Sequence, residues 1–131
     1  MFEACKSGET KIVQLLLENC STEEIGLNNK DEDGWTVLIW ACYNGHKDVV
    51  KLLLDHSERI ELDARCNGGW TAFMLACKHG RKDVVQLLLD HSERIELNAR
   101  NNDGFTAFMY ACDRGHNDVI QLLSDPSDTI V

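Results

Sequence analysis

Asp55-His56-Ser57 and Asp90-His91-Ser92 set an acid, a base and a hydroxyl side by side, the residue types of nucleophilic catalysis. Cys77-Lys78-His79 pairs two metal-ligating side chains at close spacing. Neither pattern amounts to a site. Catalytic groups must converge on a reacting atom, which neighbours along one helix end do not do, and zinc requires a second ligand pair. A glycine-rich phosphate loop is also missing. The chain is read as a non-enzyme, with no metal and no cofactor.

What positions these residues is repetition. Leu-Leu-Leu-Asp-His-Ser-Glu-Arg-Ile-Glu-Leu occurs at Leu52 to Leu62 and, unchanged, at Leu87 to Leu97, a period of 35 residues. Gly34-Trp35-Thr36, Gly69-Trp70-Thr71 and Gly104-Phe105-Thr106 keep the same phase, as do Ala41-Cys42, Ala76-Cys77 and Ala111-Cys112. Gly45-His46-Lys47-Asp48-Val49-Val50 returns at Gly80 and Gly115, and weakly at Gly8. Units fall at about 1–30, 31–65, 66–100 and 101–131 of one domain spanning the chain. A unit this short cannot close a core alone, so each must bury its apolar face on the next.

Within one unit, Asp33-Gly34 and Gly68-Gly69 form tight turns, and Thr36 caps a short apolar helix from Val37 to Tyr43 that ends at Asn44-Gly45. A second helix runs from about Lys47 to Asp55, with Val49, Val50, Leu52, Leu53 and Leu54 as its buried stripe and Asp48 in its first turn. Cys5, Cys42, Cys77 and Cys112 each follow an alanine at one point of the repeat and are read as packing residues. Equivalent sites on stacked helices lie roughly 10 Å apart, too far for a disulfide. Reduced thiols imply an intracellular setting, cytoplasmic or nuclear.

The net charge of −9 argues against nucleic acid and acidic membrane surfaces as partners, and no segment approaches the roughly 20 apolar residues of a membrane helix. The charge is uneven. Residues 66–100 hold five basic and four acidic side chains, between two units that are each strongly acidic.

Gly-x-Thr, Ala-Cys, Gly-His-x-Asp-Val-Val and Leu-Leu-Leu, in this order, resemble the ankyrin repeat over roughly residues 1–123. The resemblance implies an all-α solenoid of stacked helix-turn-helix units with β-hairpin or turn tips. Under it His46 and His116 match the residue that braces the loops. Three departures stand out. The family's Pro-Leu-His becomes Val37-Leu38-Ile39, Ala72-Phe73-Met74 and Ala107-Phe108-Met109. Its Gly-containing segment after the second helix becomes Ser57 to Leu62, and is longer again at Asn19 to Leu27; an extended helix end or loop is expected there, with Ile60, Leu62, Ile95 and Leu97 tucked against the next unit. The first and last units are incomplete, with a polar tail from Ser124 to Val131, so a monomer with weak self-association through apolar ends is expected.

The resemblance further implies a module that binds another protein on a concave face of tips and first helices. Between constant flanks the tips vary as Glu32-Asp33-Gly34-Trp35, Asn67-Gly68-Gly69-Trp70 and Asn102-Asp103-Gly104-Phe105, and the first-helix ends as Tyr43-Asn44, Lys78-His79 and Asp113-Arg114. These are the candidate binding residues, with Trp35, Trp70 and Phe105 as an aromatic ladder of the kind that dominates interfaces. The same aromatics would otherwise shield the tips by stacking on neighbouring units, while Trp40, Leu75 and Tyr110 are read as packing. The alternative function is a spacer, a consensus-like scaffold or a piece of a larger protein without a partner of its own.

Overall fold

The computed structural model describes residues 1–124, which form helices and turns only. Four helix pairs follow one another: α1 (Phe2–Ser7) with α2 (Thr10–Asn19), α4 (Val37–Asn44) with α5 (Lys47–Asp55), α6 (Ala72–Lys78) with α7 (Lys82–Leu89), and α8 (Ala107–Asp113) with α9 (Asn117–Ser124). A one-turn helix, α3 (Thr22–Ile25), is added after the first pair. The first helices pack in series, α1 on α4, α4 on α6 and α6 on α8, and the second helices form an outer row beside them.

Local chemistry sets the boundaries. Thr36, Thr71 and Thr106 each accept a hydrogen bond from the backbone N–H of Ile39, Met74 and Met109, at 3.3, 3.2 and 3.2 Å, satisfying an amide that the helix start would leave unpaired. α4 ends at Gly45, whose φ of 72° lies in the left-handed region that glycine alone enters without strain. On α5 the side chains of Val49, Val50, Leu53 and Leu54 are buried between units. The core is continuous along the stack, and truncation of a side chain such as Leu53 to Ala costs about 2–5 kcal/mol.

Polar ties repeat with the period. The His46 ring meets the Lys6 carbonyl at 2.8 Å, Arg81 donates to the Tyr43 carbonyl at 3.1 Å, and the His116 ring meets the Lys78 carbonyl at 2.7 Å. Each fixes a helix-to-helix turn to the preceding unit, the bracing role expected of His46 and His116. At the other end the tips are hydrogen-bonded turns, closed by Asp31 with Trp35, Cys66 with Trp70 and Asn101 with Phe105. Backbone bonds from Asn67 to Asp33 and from Asn102 to Gly68 tie each tip to its predecessor. No strand forms among the described residues.

Three details differ from expectation. Asn19 to Leu27 holds α3, secured by a reciprocal Ser21–Glu24 capping box. Ser57–Arg59 and Ser92–Arg94 form single 3-10 turns that aim Ile60, Leu62 and Ile95 into the core and leave Leu97 half-buried. Cys5, Cys42 and Cys77 are buried packing residues, but Cys112 is exposed, because among the described residues no further helix covers that face of α8. The expected polar tail lies, beyond Ser124, outside the described residues.

Candidate functional site

The tip turns and first helices of the second and third units enclose an open groove of about 510 Å³. Trp35, Trp40 and Tyr43 of the second unit form one wall, and Cys66, Trp70, Leu75, Lys78 and His79 of the third form the other. Tip geometry brings Trp35 back over α4, where its ring lies 4.5 Å from Trp40 and 5.0 Å from Tyr43. Tyr43 meets the His79 ring edge-on at 4.8 Å, linking the walls at the helix end of the groove. Trp70 stacks on Tyr110 of the fourth unit at 4.5 Å, with Phe105 tilted against the same tyrosine.

Two ammonium groups lie on aromatic faces. Lys78 Nζ sits 4.6 Å from the Trp70 centroid and 5.7 Å from that of Tyr110, and Lys6 Nζ sits 4.4 Å from Trp40. Lys6, Tyr43, Lys78 and Asp113 occupy one register position of the four first helices. At the tip end, Asp31 binds the backbone N–H groups of Asp33 and Trp35 and the indole of Trp40. Burial pushes its carboxyl up, but those hydrogen bonds and Lys6 outweigh it and hold the group below the usual range. Burial, aided by Lys78, Arg81, Arg114 and His116, holds His79 below its ordinary value, so its imidazole is neutral at pH 7.

Of the residues singled out from sequence, Asp33, Trp35, Tyr43, Asn67, Trp70, Lys78 and His79 line this groove. Glu32 is exposed at the tip rim, and its carbonyl accepts from the Asn67 amide. Asn44 turns its amide to the Lys6 carbonyl and so ties two units together. Asn102, Asp103, Phe105, Asp113 and Arg114 lie one unit further along and are exposed; Arg114 sits 4.0 Å from Asp113. Trp35 and Trp70 stack on other rings and yet stay half-exposed along the groove. The packing role read for Leu75 and Tyr110 agrees with their burial. Trp40 differs: it is half-buried and lines the groove, because the hydrogen bond to Asp31 holds its indole at the surface of α4. Gly68 of the Asn67 tip lines the groove as well, and Cys66 is a further lining residue that sequence reasoning missed; Cys66 shares a register position with Asp31 and Asn101, a signal visible in the repeat.

Among the described residues no cluster of three or more His, Cys, Asp or Glu side chains could hold a metal ion, and no helix is long and apolar enough to cross a membrane. A family model described as ankyrin repeats (3 copies) matches residues 1–66 and 58–130. Similar proteins include osteoclast-stimulating factor 1 of Monopterus albus, 46% identical over 42% of this chain and 24% of the relative. The Danio rerio protein of that name is 44% identical over 41% of this chain and 23% of the relative, and the Gallus gallus protein 37% identical over 44% and 26%. The chain thus spans about a quarter of the length of these curated relatives.

Proposed function

We propose a function from one premise: the chain belongs to the ankyrin-repeat family, whose repeats are protein-interaction modules, and its own partner is a protein that engages the groove between the second and third units. The observation that carries this reading is the half-exposed aromatic lining of Trp35, Trp40, Tyr43 and Trp70. Rings held by neighbours lose little freedom on binding, and large aromatics of this kind contribute most of the affinity at interfaces. Groups on the rim, among them Glu32, Asp103 and Arg114, then adjust association rate and selectivity. A spacer without a partner would account for the ties between units but not for an aromatic lining left facing solvent.

The six free cysteines support an intracellular setting. Burial pushes the thiols of Cys5 and Cys77 up to about 12, opposed at Cys5 by the N-terminal charge, so both stay protonated and serve packing. Catalysis has no place in this reading.

A photo-crosslinking side chain at Asn67, on the groove, tests the assignment against one at Lys51, exposed on α5. The Asn67 variant is expected to trap a defined protein from cell lysate and the Lys51 variant none. Equal trapping at both positions, or none at either, removes the groove from consideration.

A further inference from the structure

We propose that the groove takes an acidic peptide segment carrying one large apolar side chain, the apolar group entering between Trp35 and Trp70 and a carboxylate meeting Lys78. This rests on the reading of the groove as a recognition site and names the chemistry of its partner.

The argument starts from what the charges do. Three of the five cations of the third unit are engaged by the protein: Arg81 binds the Tyr43 carbonyl, Arg94 the Ser57 hydroxyl, and Arg100 the Gly104 carbonyl. Lys78 differs from them. It is the cation that lines the groove, and among the described residues no carboxylate lies within ion-pair distance of it. Its ammonium rests on the faces of Trp70 and Tyr110, so its position is set and its surroundings are partly apolar, where a pairing carboxylate gains more than in water.

The opposite end of the groove carries Asp33 at the tip, exposed and solvated. An incoming carboxylate is repelled there and attracted at the helix end, which fixes the direction in which a peptide lies. Between the two charges the lining is Trp35, Trp40, Tyr43, Cys66, Trp70 and Leu75, a surface that matches one large apolar side chain. The third unit is also the basic band of an otherwise acidic chain, which adds to the attraction of an acidic segment toward Lys78.

A displayed library of random peptides, selected on the intact chain, provides the test. The wild-type chain is expected to enrich peptides in which Asp or Glu accompanies Trp, Phe or Leu. Lys78→Gln is expected to weaken those peptides about tenfold, and Lys78→Glu to replace their acidic residue by Lys or Arg, while Lys51→Glu on the outer row changes nothing. Circular dichroism on each variant establishes that it is folded before selection. A wild-type consensus without acidic residues, or one that Lys78→Glu leaves unchanged, overturns the acidic-partner assignment while leaving the groove as a binding site. Enrichment that survives Trp70→Ala undiminished, or no enrichment at all, overturns the recognition reading together with it.

Discussion

The Trp40 indole donates to Asp31 Oδ2 at 2.9 Å, and two units on the same positions hold the inverse arrangement, with Asn101 donating its amide to the Tyr110 hydroxyl at 2.8 Å. The intervening unit has Cys66 and Leu75 there, an apolar pair. Each tip residue is therefore matched to the residue on its own helix: acceptor with donor, amide with hydroxyl, apolar with apolar. Both polar tip residues also accept the two backbone N–H groups that shape their turn. Asp31→Asn keeps that turn but aims an amide donor at the indole donor, and is expected to cost about 1–3 kcal/mol. Combining it with Trp40→Tyr reproduces the fourth unit's pair. The double variant is expected to recover about 1 kcal/mol relative to the sum of the single changes, read as a coupling energy in urea unfolding. Additive losses would mean that the two residues act independently.

Gly80 and Gly115 end equivalent helices with φ of 65° and 68°, but their surroundings differ. A Cβ at Gly80 would lie 2.6 Å from His116 Nδ1, whereas one at Gly115 meets nothing within 4 Å. Gly115→Ala therefore incurs backbone strain alone, about 1 kcal/mol, and Gly80→Ala adds displacement of the ring that braces the Lys78 carbonyl. Thermal unfolding is expected to give at least twice the destabilisation for Gly80→Ala. Equal losses would show that the His116 brace contributes nothing.

Arg59 donates to the Leu17 carbonyl at 3.0 Å, the Cys20 carbonyl at 2.9 Å and the Thr22 hydroxyl at 2.9 Å, closing the end of α2 from the next unit. Its copy, Arg94, makes one such bond, to Ser57 at 2.8 Å. Identical sequence thus has unequal effect, because the end of α2 offers the Leu17 and Cys20 carbonyls and the start of α3 the Thr22 hydroxyl, whereas Arg94 meets the Ser57 hydroxyl alone. Arg59→Ala is expected to destabilise the chain by about 2 kcal/mol and to raise amide exchange at the end of α2, and Arg94→Ala by about 0.5 kcal/mol. A reversed order would assign the stabilising role to the second copy.

These contrasts mark where the sequence was sufficient. Helix positions followed from Thr36, Gly45 and the Val49 to Leu54 stripe, since capping, turn geometry and burial are local consequences of residue type. The bracing of units by His46 and His116 was legible through family resemblance. α3 is spelled by the Ser21 and Glu24 capping box, yet comparison between units points to an extended helix end or loop there, because the shorter copies from Ser57 and Ser92 hold no such box. The packing role read for Trp40 does not anticipate its place on the groove, since an apolar helix offers no sign of which ring a tip carboxylate holds at the surface. Asn44, a candidate recognition residue by sequence, has its amide engaged by a backbone carbonyl 38 positions earlier, a pairing that becomes visible once the units are stacked.

His79 makes the stability of the stack depend on pH. Burial first, and then Lys78, Arg81, Arg114 and His116, hold its pKa in the folded chain below the ordinary value near 6.5. The unfolded chain therefore binds a proton more readily, and stability rises with pH through the window between the folded value and about 6.5. Read downward, stability begins to fall as pH drops below about 6.5 and the contribution of this group levels off once the folded imidazole also protonates. His79→Gln removes the titration, and its urea midpoint is expected to fall less than that of the wild-type chain between about pH 7.5 and about pH 5, a difference that cancels the carboxylates common to both. Parallel curves for the two proteins would mean that His79 titrates alike in the folded and unfolded chains, and that the cations around it are screened by solvent.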